Sequence, residues 1–136
     1  MGLIVGHLNL YSRNPTELAQ FFSELLDMDL YPDASGDGIW VSSDTIKFFV
    51  TQANADQLFN KASERDLMVE FTLPSLSDLE DLLHKVQFMS YRKSADELKP
   101  KARGHKIQLS KVANKVFFHL KDPDGRRWKF SFDEEL

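Results

Sequence analysis

The sequence contains no cysteine, which excludes disulfides, thiol catalysis and thiolate metal sites. No apolar run approaches the ~20 residues that a membrane-spanning helix requires. The residues Met1–His7 lack a basic stretch followed by a long apolar one, so no secretory signal is predicted. We therefore expect a cytoplasmic protein.

The net charge is also small, at −4, which argues against bulk attraction to nucleic acid or to an anionic membrane. We accordingly expect neither of these partners. Hydrophobic residues make up 42% of the chain and aromatic residues 12%, so the composition predicts a folded protein. A chain of 136 residues is long enough for one domain with its own core.

The first half of the chain predicts a strand, a helix and a hairpin. Leu3–Leu10 is rich in strand formers, and Asn14 then begins a helix with Pro15 at its first position and Glu17 in its first turn. The turn-rich stretch Asp33–Gly38 separates this helix from the hairpin that follows. The helix has one apolar face, formed by Leu18, Phe21, Phe22, Leu25 and Leu26, and a hairpin turning at Ser43 and Asp44 follows between Ile39–Val41 and Ile46–Val50.

The second half repeats this plan. Met68–Leu73 alternates as a strand does, and Ser75 caps a helix with Asp78 three residues later. The apolar face of that helix contains Leu79, Leu82, Leu83 and Val86. Further strands are predicted near Val86–Tyr91, Lys106–Leu109, Val116–Leu120 and Arg127–Phe132.

The two caps, Asn14 and Ser75, lie 61 residues apart, and the same offset superposes the two predicted helix faces. We predict a single α+β domain over residues 1–136, with one βαβββ module at about 1–53, a linker at 54–66 and a second module at about 67–136. Two such sheets can close into a curved cup of mixed β-sheet. The alternative is an α+β sandwich without internal symmetry.

Three groups of residues make the pattern specific. They are His7-Leu8-Asn9-Leu10 before the first helix, the pair Phe21-Phe22 within that helix, and Asp122-Pro123-Asp124-Gly125 before the last strand. In this order they resemble the glyoxalase/bleomycin-resistance/dioxygenase (vicinal oxygen chelate) superfamily. The resemblance implies the cupped fold. It also implies a homodimer in which modules pair across subunits, although pairing within one chain fits the sequence equally well.

The resemblance also implies three metal-ligand positions, which here hold His7, Met68 and Lys129. Only the imidazole of His7 suits a divalent ion, because Met68 offers a soft thioether and Lys129 a positive charge. We therefore expect no metal and no other cofactor.

Strand alternation predicts which side chains line the cup. Trp128, Phe130 and Phe132 are expected beneath the helix, which turns Arg127, Lys129 and Ser131 the other way. The alternative to a bound ligand is that Glu70 forms an ion pair with Lys129 and His7 makes an ordinary structural hydrogen bond. The expected ligand-binding residues are His7, Asn9, Lys47, Glu70, Phe117, His119, Arg127 and Lys129, with Phe117 and His119 turned inward by the register that the resemblance implies.

These residues predict a metal-free protein that binds a small polar or anionic molecule. One alternative is an enzyme (a lyase, isomerase, thiol transferase or dioxygenase) with an unusual metal or acid–base site, for which His7 and Glu70 are the catalytic candidates. Another is a structural or interaction domain without a pocket.

The basic segment Arg92–Lys115 holds 8 of the 17 basic residues. It is interpreted as a solvated loop, as a flap over an anionic ligand, or last as a nucleic-acid surface.

Overall fold

The computed structural model describes residues 2–54, 67–96 and 107–135, with side chains left undescribed at 93–96. The chain divides into two compact units. The first contains Met1–Leu67 together with Asp122–Arg126, and the second contains Met68–Lys121 and Arg127–Leu136. Among the helices in these described ranges, none combines the length and apolarity needed to cross a membrane.

The first unit is a four-stranded sheet with one helix. Its strands have the order β1-β4-β3-β2, with β1 parallel to β4 and the other pairs antiparallel. The elements are β1 (Leu8–Ser12), α1 (Pro15–Leu26), β2 (Asp29–Pro32), β3 (Gly38–Ser42) and β4 (Lys47–Gln52).

Helix α1 begins where the sequence predicts. The Asn14 side chain accepts a hydrogen bond from the Glu17 N–H at 3.2 Å, and Pro15 takes the first helical position. Asp27 ends the helix in the left-handed conformation, at φ 52°. One helix face is buried against the sheet, and the core it forms contains Leu18, Ala19, Phe22 and Leu25 from α1 with Val41, Phe48 and Val50 from β3 and β4.

The second unit repeats the same architecture. Its strands have the order β5-β8-β7-β6, and β5 is parallel to β8. The Ser75 hydroxyl caps the helix by accepting from the Asp78 N–H at 3.1 Å. The elements are β5 (Val69–Thr72), α2 (Leu76–Asp96), β6 (Ser110–Val112), β7 (Lys115–Lys121) and β8 (Arg127–Asp133).

The strand registers confirm the internal repeat. Leu8 pairs with Phe48 in the first sheet, and Val69, which lies 61 residues after Leu8, pairs with Trp128 in the second. Phe48 and Trp128 are both buried on the helix side of their sheets. The predicted α+β fold of two βαβββ modules is therefore correct.

The predicted start of the first strand is wrong. The strand begins at Leu8, and the side chains of Leu3, Ile4 and Val5 are 89%, 94% and 75% exposed. The reason is the partner strand, because Leu8 pairs with Phe48 and β4 itself begins one residue earlier, at Lys47. The hairpin turn that precedes Lys47 offers no further ladder for Leu3–Val5.

Two predictions for the second half also fail. Val86–Tyr91 is not a strand, because α2 continues through it to Asp96. Residues 107–109 have no regular structure, and the strand forms instead at Ser110–Val112. Lys106 and nearly all of the predicted linker, at 55–66, lie outside the described residues.

The Asp122–Arg126 turn belongs to the first unit through specific bonds. Ser12, which is 1% exposed, donates its hydroxyl to Asp124 Oδ2 at 2.7 Å and accepts from the Asn14 N–H at 3.1 Å. The Arg126 guanidinium contacts Asp122 Oδ2 at 2.9 Å and the Tyr11 carbonyl oxygen at 2.8 Å. These bonds join the end of β1 and the start of α1 to a turn more than a hundred residues away.

Replacing Gly38 by alanine is expected to destabilise the protein. A Cβ at this position would lie 2.7 Å from Phe49 Cε2 and 2.7 Å from the Val50 carbonyl oxygen. Relieving these overlaps costs roughly 1–3 kcal/mol of unfolding free energy. Urea denaturation of Gly38→Ala measures this loss. The matched control is Gly6→Ala, because an added Cβ there meets nothing within 4 Å. Equal stability of the two variants would contradict the close packing of Phe49 on Gly38.

Candidate functional site

The helix-free face of the second sheet carries charged and polar side chains, and we call it the charged face. Alternation along β7 buries Val116, Phe118 and Leu120 on the helix side. The remaining parity turns Phe117 and His119 to the opposite face. The charged face includes Glu70, Lys115, Phe117, His119, Lys121, Arg127, Lys129, Ser131 and Asp133, so its four cations still outnumber its two carboxylates.

Glu70 is the hub of the charged face. Its Oε2 accepts from the Ser131 hydroxyl at 2.6 Å and from Lys115 Nζ at 2.9 Å, and its Oε1 lies 3.5 Å from Lys129 Nζ. The Ser131 hydrogen bond, then the Lys115 hydrogen bond and the charge of Lys129 lower the pKa of Glu70 to about 2 against the opposing effect of burial. A carboxylate with so low a pKa is a weak base at neutral pH.

His119 lies among cations. Its cross-strand partner is Lys129, and its ring meets the Phe117 ring edge-on at 5.5 Å. Burial lowers the pKa of His119, and the charges of Arg127 and Lys129 lower it further against the weaker pull of Glu70. The imidazole is therefore neutral at pH 7.

Lys129 and Arg127 differ in their surroundings. The Lys129 ammonium lies 4.5 Å above the Phe117 ring, and its side chain is only 18% exposed. Arg127 is exposed and makes no ion pair with any residue that the structure describes. One guanidinium on this face is thus available to an external anion.

The helix-free face of the first sheet is different in kind, and we call it the aromatic face. His7 Nε2 lies 3.0 Å from Asn9 Oδ1, and the His7 ring meets Trp40 edge-on at 5.1 Å. The Trp40 and Phe49 rings stack at 4.4 Å, and Lys47 Nζ lies 5.0 Å from the Trp40 centroid. The aromatic face includes His7, Asn9, Tyr11, Asp29, Tyr31, Trp40, Lys47 and Phe49.

Each unit therefore brings together part of the predicted ligand-binding set. His7, Asn9 and Lys47 meet in the first unit. The second unit brings together Glu70, Phe117, His119, Arg127 and Lys129. The two contacts expected if no ligand binds are both present. They are the ion pair of Glu70 with Lys129 and a hydrogen bond at His7.

Sequence reasoning turned Ser131 to the correct face by alternation but did not include it among the ligand-binding residues. It missed Phe49, which is two residues from Lys47 and shares its parity, so alternation alone could have found it. Tyr31 was missed because its strand was not predicted. Trp40 required the register of β3 against β4, and Lys115 lies one residue before the predicted strand.

The side chains at the implied metal positions do not fit a divalent cation. The Lys129 ammonium is already held by Glu70, and Met68 presents an exposed thioether. His7 supplies a single imidazole, hydrogen-bonded to Asn9. Across the described ranges, no three His, Asp or Glu side chains are grouped as metal ligands would be.

The basic segment is only partly described. Arg92 lies 5.9 Å from the Phe88 ring centroid, Lys111 pairs with Glu134 at 3.3 Å, and Lys115 pairs with Glu70. The residues on which a flap would depend lie outside the described residues, and they include Lys99, Lys101, Arg103 and Lys106.

Glu70→Gln is expected to destabilise the protein in a pH-dependent way. The folded-state pKa of about 2 lies below the reference value of 4.5. The carboxylate therefore stabilises the fold fully above about pH 5, and this contribution is lost as the pH falls toward 2. After allowance for solvent screening, the variant loses about 1–2 kcal/mol at pH 7.

Urea denaturation at pH 7 and pH 3 measures this effect. The difference between wild type and Glu70→Gln should shrink by more than half at pH 3. Glu80→Gln, on the exposed side of α2, is the control for loss of a surface carboxylate. A destabilisation of equal size at both pH values would contradict the low pKa.

Structural comparison places this architecture among known proteins. The chain superposes on a glyoxylase/bleomycin resistance protein/dioxygenase domain from Frankia sp. EAN1pec with a TM-score of 0.67 at 14% identity, covering 98% of this chain and 99% of that one. A glyoxalase/bleomycin resistance protein/dioxygenase from Alicyclobacillus acidocaldarius gives 0.67 at 16% identity, with 95% and 90% covered. Lactoylglutathione lyase from Agrobacterium tumefaciens gives 0.63 at 9% identity, with 97% and 95% covered.

By sequence, no family model and no curated protein matches the chain. At these identities the structural similarity shows the fold and not the activity. The internal repeat, the strand order and the superpositions agree. This chain has the fold of the glyoxalase/bleomycin-resistance/dioxygenase, or vicinal oxygen chelate, superfamily.

Proposed function

We propose that this protein binds a small anionic molecule on the charged face of its second unit, without a metal ion. The observation that carries the proposal is the pairing at Glu70. That carboxylate is engaged by Lys115, Lys129 and Ser131, and Arg127 makes no ion pair with any described residue. The face therefore has a cation in excess.

An oxyanion fits this excess by its chemistry. A guanidinium offers a fork of N–H donors that matches a carboxylate, sulfate or phosphate group, and such charge-assisted bonds are about twice as strong as neutral ones. Lys129, the cross-strand partner of His119, shares its single carboxylate contact with Lys115. A bound anion would give Arg127 an ionic partner. It would also offset the positive charge that Lys115 and Lys129 together carry beyond the single negative charge of Glu70.

Protonation of His119 is coupled to the binding of an anion. Its pKa is lowered by burial and by the positive charges of Arg127 and Lys129. A bound anion offsets those charges, so it raises the pKa of His119 and binding takes up a proton. The affinity for an anion should therefore increase as the pH falls below neutrality. Glu70 stays ionised in that range because its pKa is about 2.

The metal-free part of the proposal rests on the side chains described above. A divalent ion needs donors that carry no positive charge, and Lys129 fails this condition. We expect protein prepared without a histidine tag to contain Zn, Ni, Mn and Fe each at well below one equivalent. Elemental analysis by mass spectrometry measures this, and dialysis against each metal followed by desalting is the second arm. One tightly held equivalent in either arm would overturn the metal-free proposal.

Arg127→Ala is expected to weaken the binding of sulfate by about tenfold, the loss of one charge-assisted hydrogen bond. Sulfate is a suitable probe because it does not titrate between pH 5 and 8. Amide chemical shifts of β7 and β8, followed by NMR at constant ionic strength with chloride, give the affinity. The matched control is Lys111→Ala, which removes one positive charge from the pair with Glu134.

The pH dependence supplies the second arm of this experiment. Wild-type affinity for sulfate should be roughly threefold or more higher at pH 5.5 than at pH 7.5, and His119→Gln should remove most of that difference. Equal effects of Arg127→Ala and Lys111→Ala would show that sulfate only screens the surface. That result would reject the charged face as the site.

A further inference from the structure

We propose that the aromatic face of the first unit is a stacking site for a planar aromatic ring that bears an acidic group. The site is formed by Tyr31, Trp40 and Phe49, with Lys47 beside it. It lies in a different unit from the charged face and depends on different residues. The inference therefore stands or falls independently of the proposed function.

The strand register places these side chains in one row. Asn9 pairs with Phe49, Phe49 with Trp40, and Trp40 with Tyr31, across all four strands of the first sheet. The next row along, Val41 and Phe48, turns to the opposite face and is fully buried. The large apolar side chains of this sheet thus divide between two faces, although α1 covers only one of them.

The rings are held in fixed orientations before any ligand arrives. The Trp40 indole N–H donates to Asp33 Oδ1 at 2.8 Å, and Ser35 also bonds the Asp33 carboxylate. Phe49 lies where a Cβ of residue 38 would be, and it stacks on Trp40 with an interplanar angle of 29°. Rings that are already ordered lose little entropy on binding, which favours a small ligand.

Part of this surface is open. Tyr31 is 41% exposed, while Trp40 and Phe49 are intermediate in exposure. A partly exposed row of aromatic side chains offers apolar surface that a ligand ring can cover. A ligand ring that stacks here would bury apolar area on both partners.

The surroundings of the rings specify the acidic group. The Lys47 ammonium lies 5.0 Å from the Trp40 centroid, and Lys47 forms no ion pair within the part of the chain that the structure describes. Asp29 lies in the same cross-strand row as Lys47, but β3 separates the two residues. The Asp33 carboxylate already accepts hydrogen bonds from Trp40 and Ser35. His7 and Asn9 are joined by their own hydrogen bond. Lys47 is therefore the group that an acidic substituent would meet.

The two tryptophans of the chain make a direct test possible. Trp40 lies on the aromatic face and Trp128 lies in the core of the second unit, 1% exposed. Each gives one indole N–H signal in a ¹⁵N–¹H spectrum, and Trp40→Phe assigns them. Benzoate should shift the Trp40 signal saturably and leave the Trp128 signal in place.

Two further probes separate the ring from the charge. Cyclohexanecarboxylate has the carboxylate without the aromatic ring and should bind at least fivefold more weakly than benzoate. Benzyl alcohol has the ring without the charge. Lys47→Met should weaken benzoate and leave benzyl alcohol unchanged. Equal binding of benzoate and cyclohexanecarboxylate would overturn the proposal.

Substitutions of the rings complete the design. Phe49→Leu should weaken benzoate at least fivefold, and Tyr31→Leu, at a more exposed position, tests the same surface with less risk to folding. Phe88→Leu on α2 is the control, because Phe88 is an exposed aromatic residue outside the site. If simple dilution of the protein shifts the Trp40 signal, the face is a contact between copies of the chain. That outcome would also reject the ligand site.

Discussion

The parallel pairing of the first and last strand in each unit is the constraint on which the rest of the structure depends. It fixes Leu8 opposite Phe48 and Val69 opposite Trp128. Since side chains alternate along a strand, this pairing decides at once which residues are buried under the helix and which remain on the other face. A slip of one residue would bury Lys129 and expose Trp128. Both candidate sites are therefore consequences of a register that the hydrophobic core enforces.

The repeat has produced two faces of opposite character from one plan. At equivalent places in the two ladders, Asn9 and Phe49 in the first sheet correspond to Glu70 and Lys129 in the second. Trp40 likewise corresponds to His119, because Trp40 pairs with Phe49 across an antiparallel ladder and His119 pairs with Lys129 in the same way. The first sheet uses these places for ring stacking and the second uses them for an ion-pair network. Similar backbones thus present different chemistry, which is why the fold alone does not specify a ligand.

The sequence predicts the fold well and the sites only in part. Helix caps are local, so Asn14 and Ser75 located both helices correctly. Strand ends depend on a partner, and for this reason the prediction of a strand at Leu3–His7 is wrong and β2 is not identified from the sequence. Val86–Tyr91 has apolar residues that suit either a strand or the end of a helix, and the cap at Ser75 had already favoured the helix. Lys115 was missed as the partner of Glu70 because that contact joins strands that are not neighbours in the sheet.

The turn at Asp122–Arg126 has a consequence for how the chain is made. Ser12 donates its hydroxyl to Asp124, a residue 112 positions later. During synthesis, segments near the N-terminus emerge first and begin to fold before the remainder exists. In this protein the buried Ser12 hydroxyl has no Asp124 to bond until 112 further residues have been translated. The first unit is thus completed only after most of the second has been translated, so a nascent or truncated chain that stops before Asp122–Arg126 lacks part of its first unit.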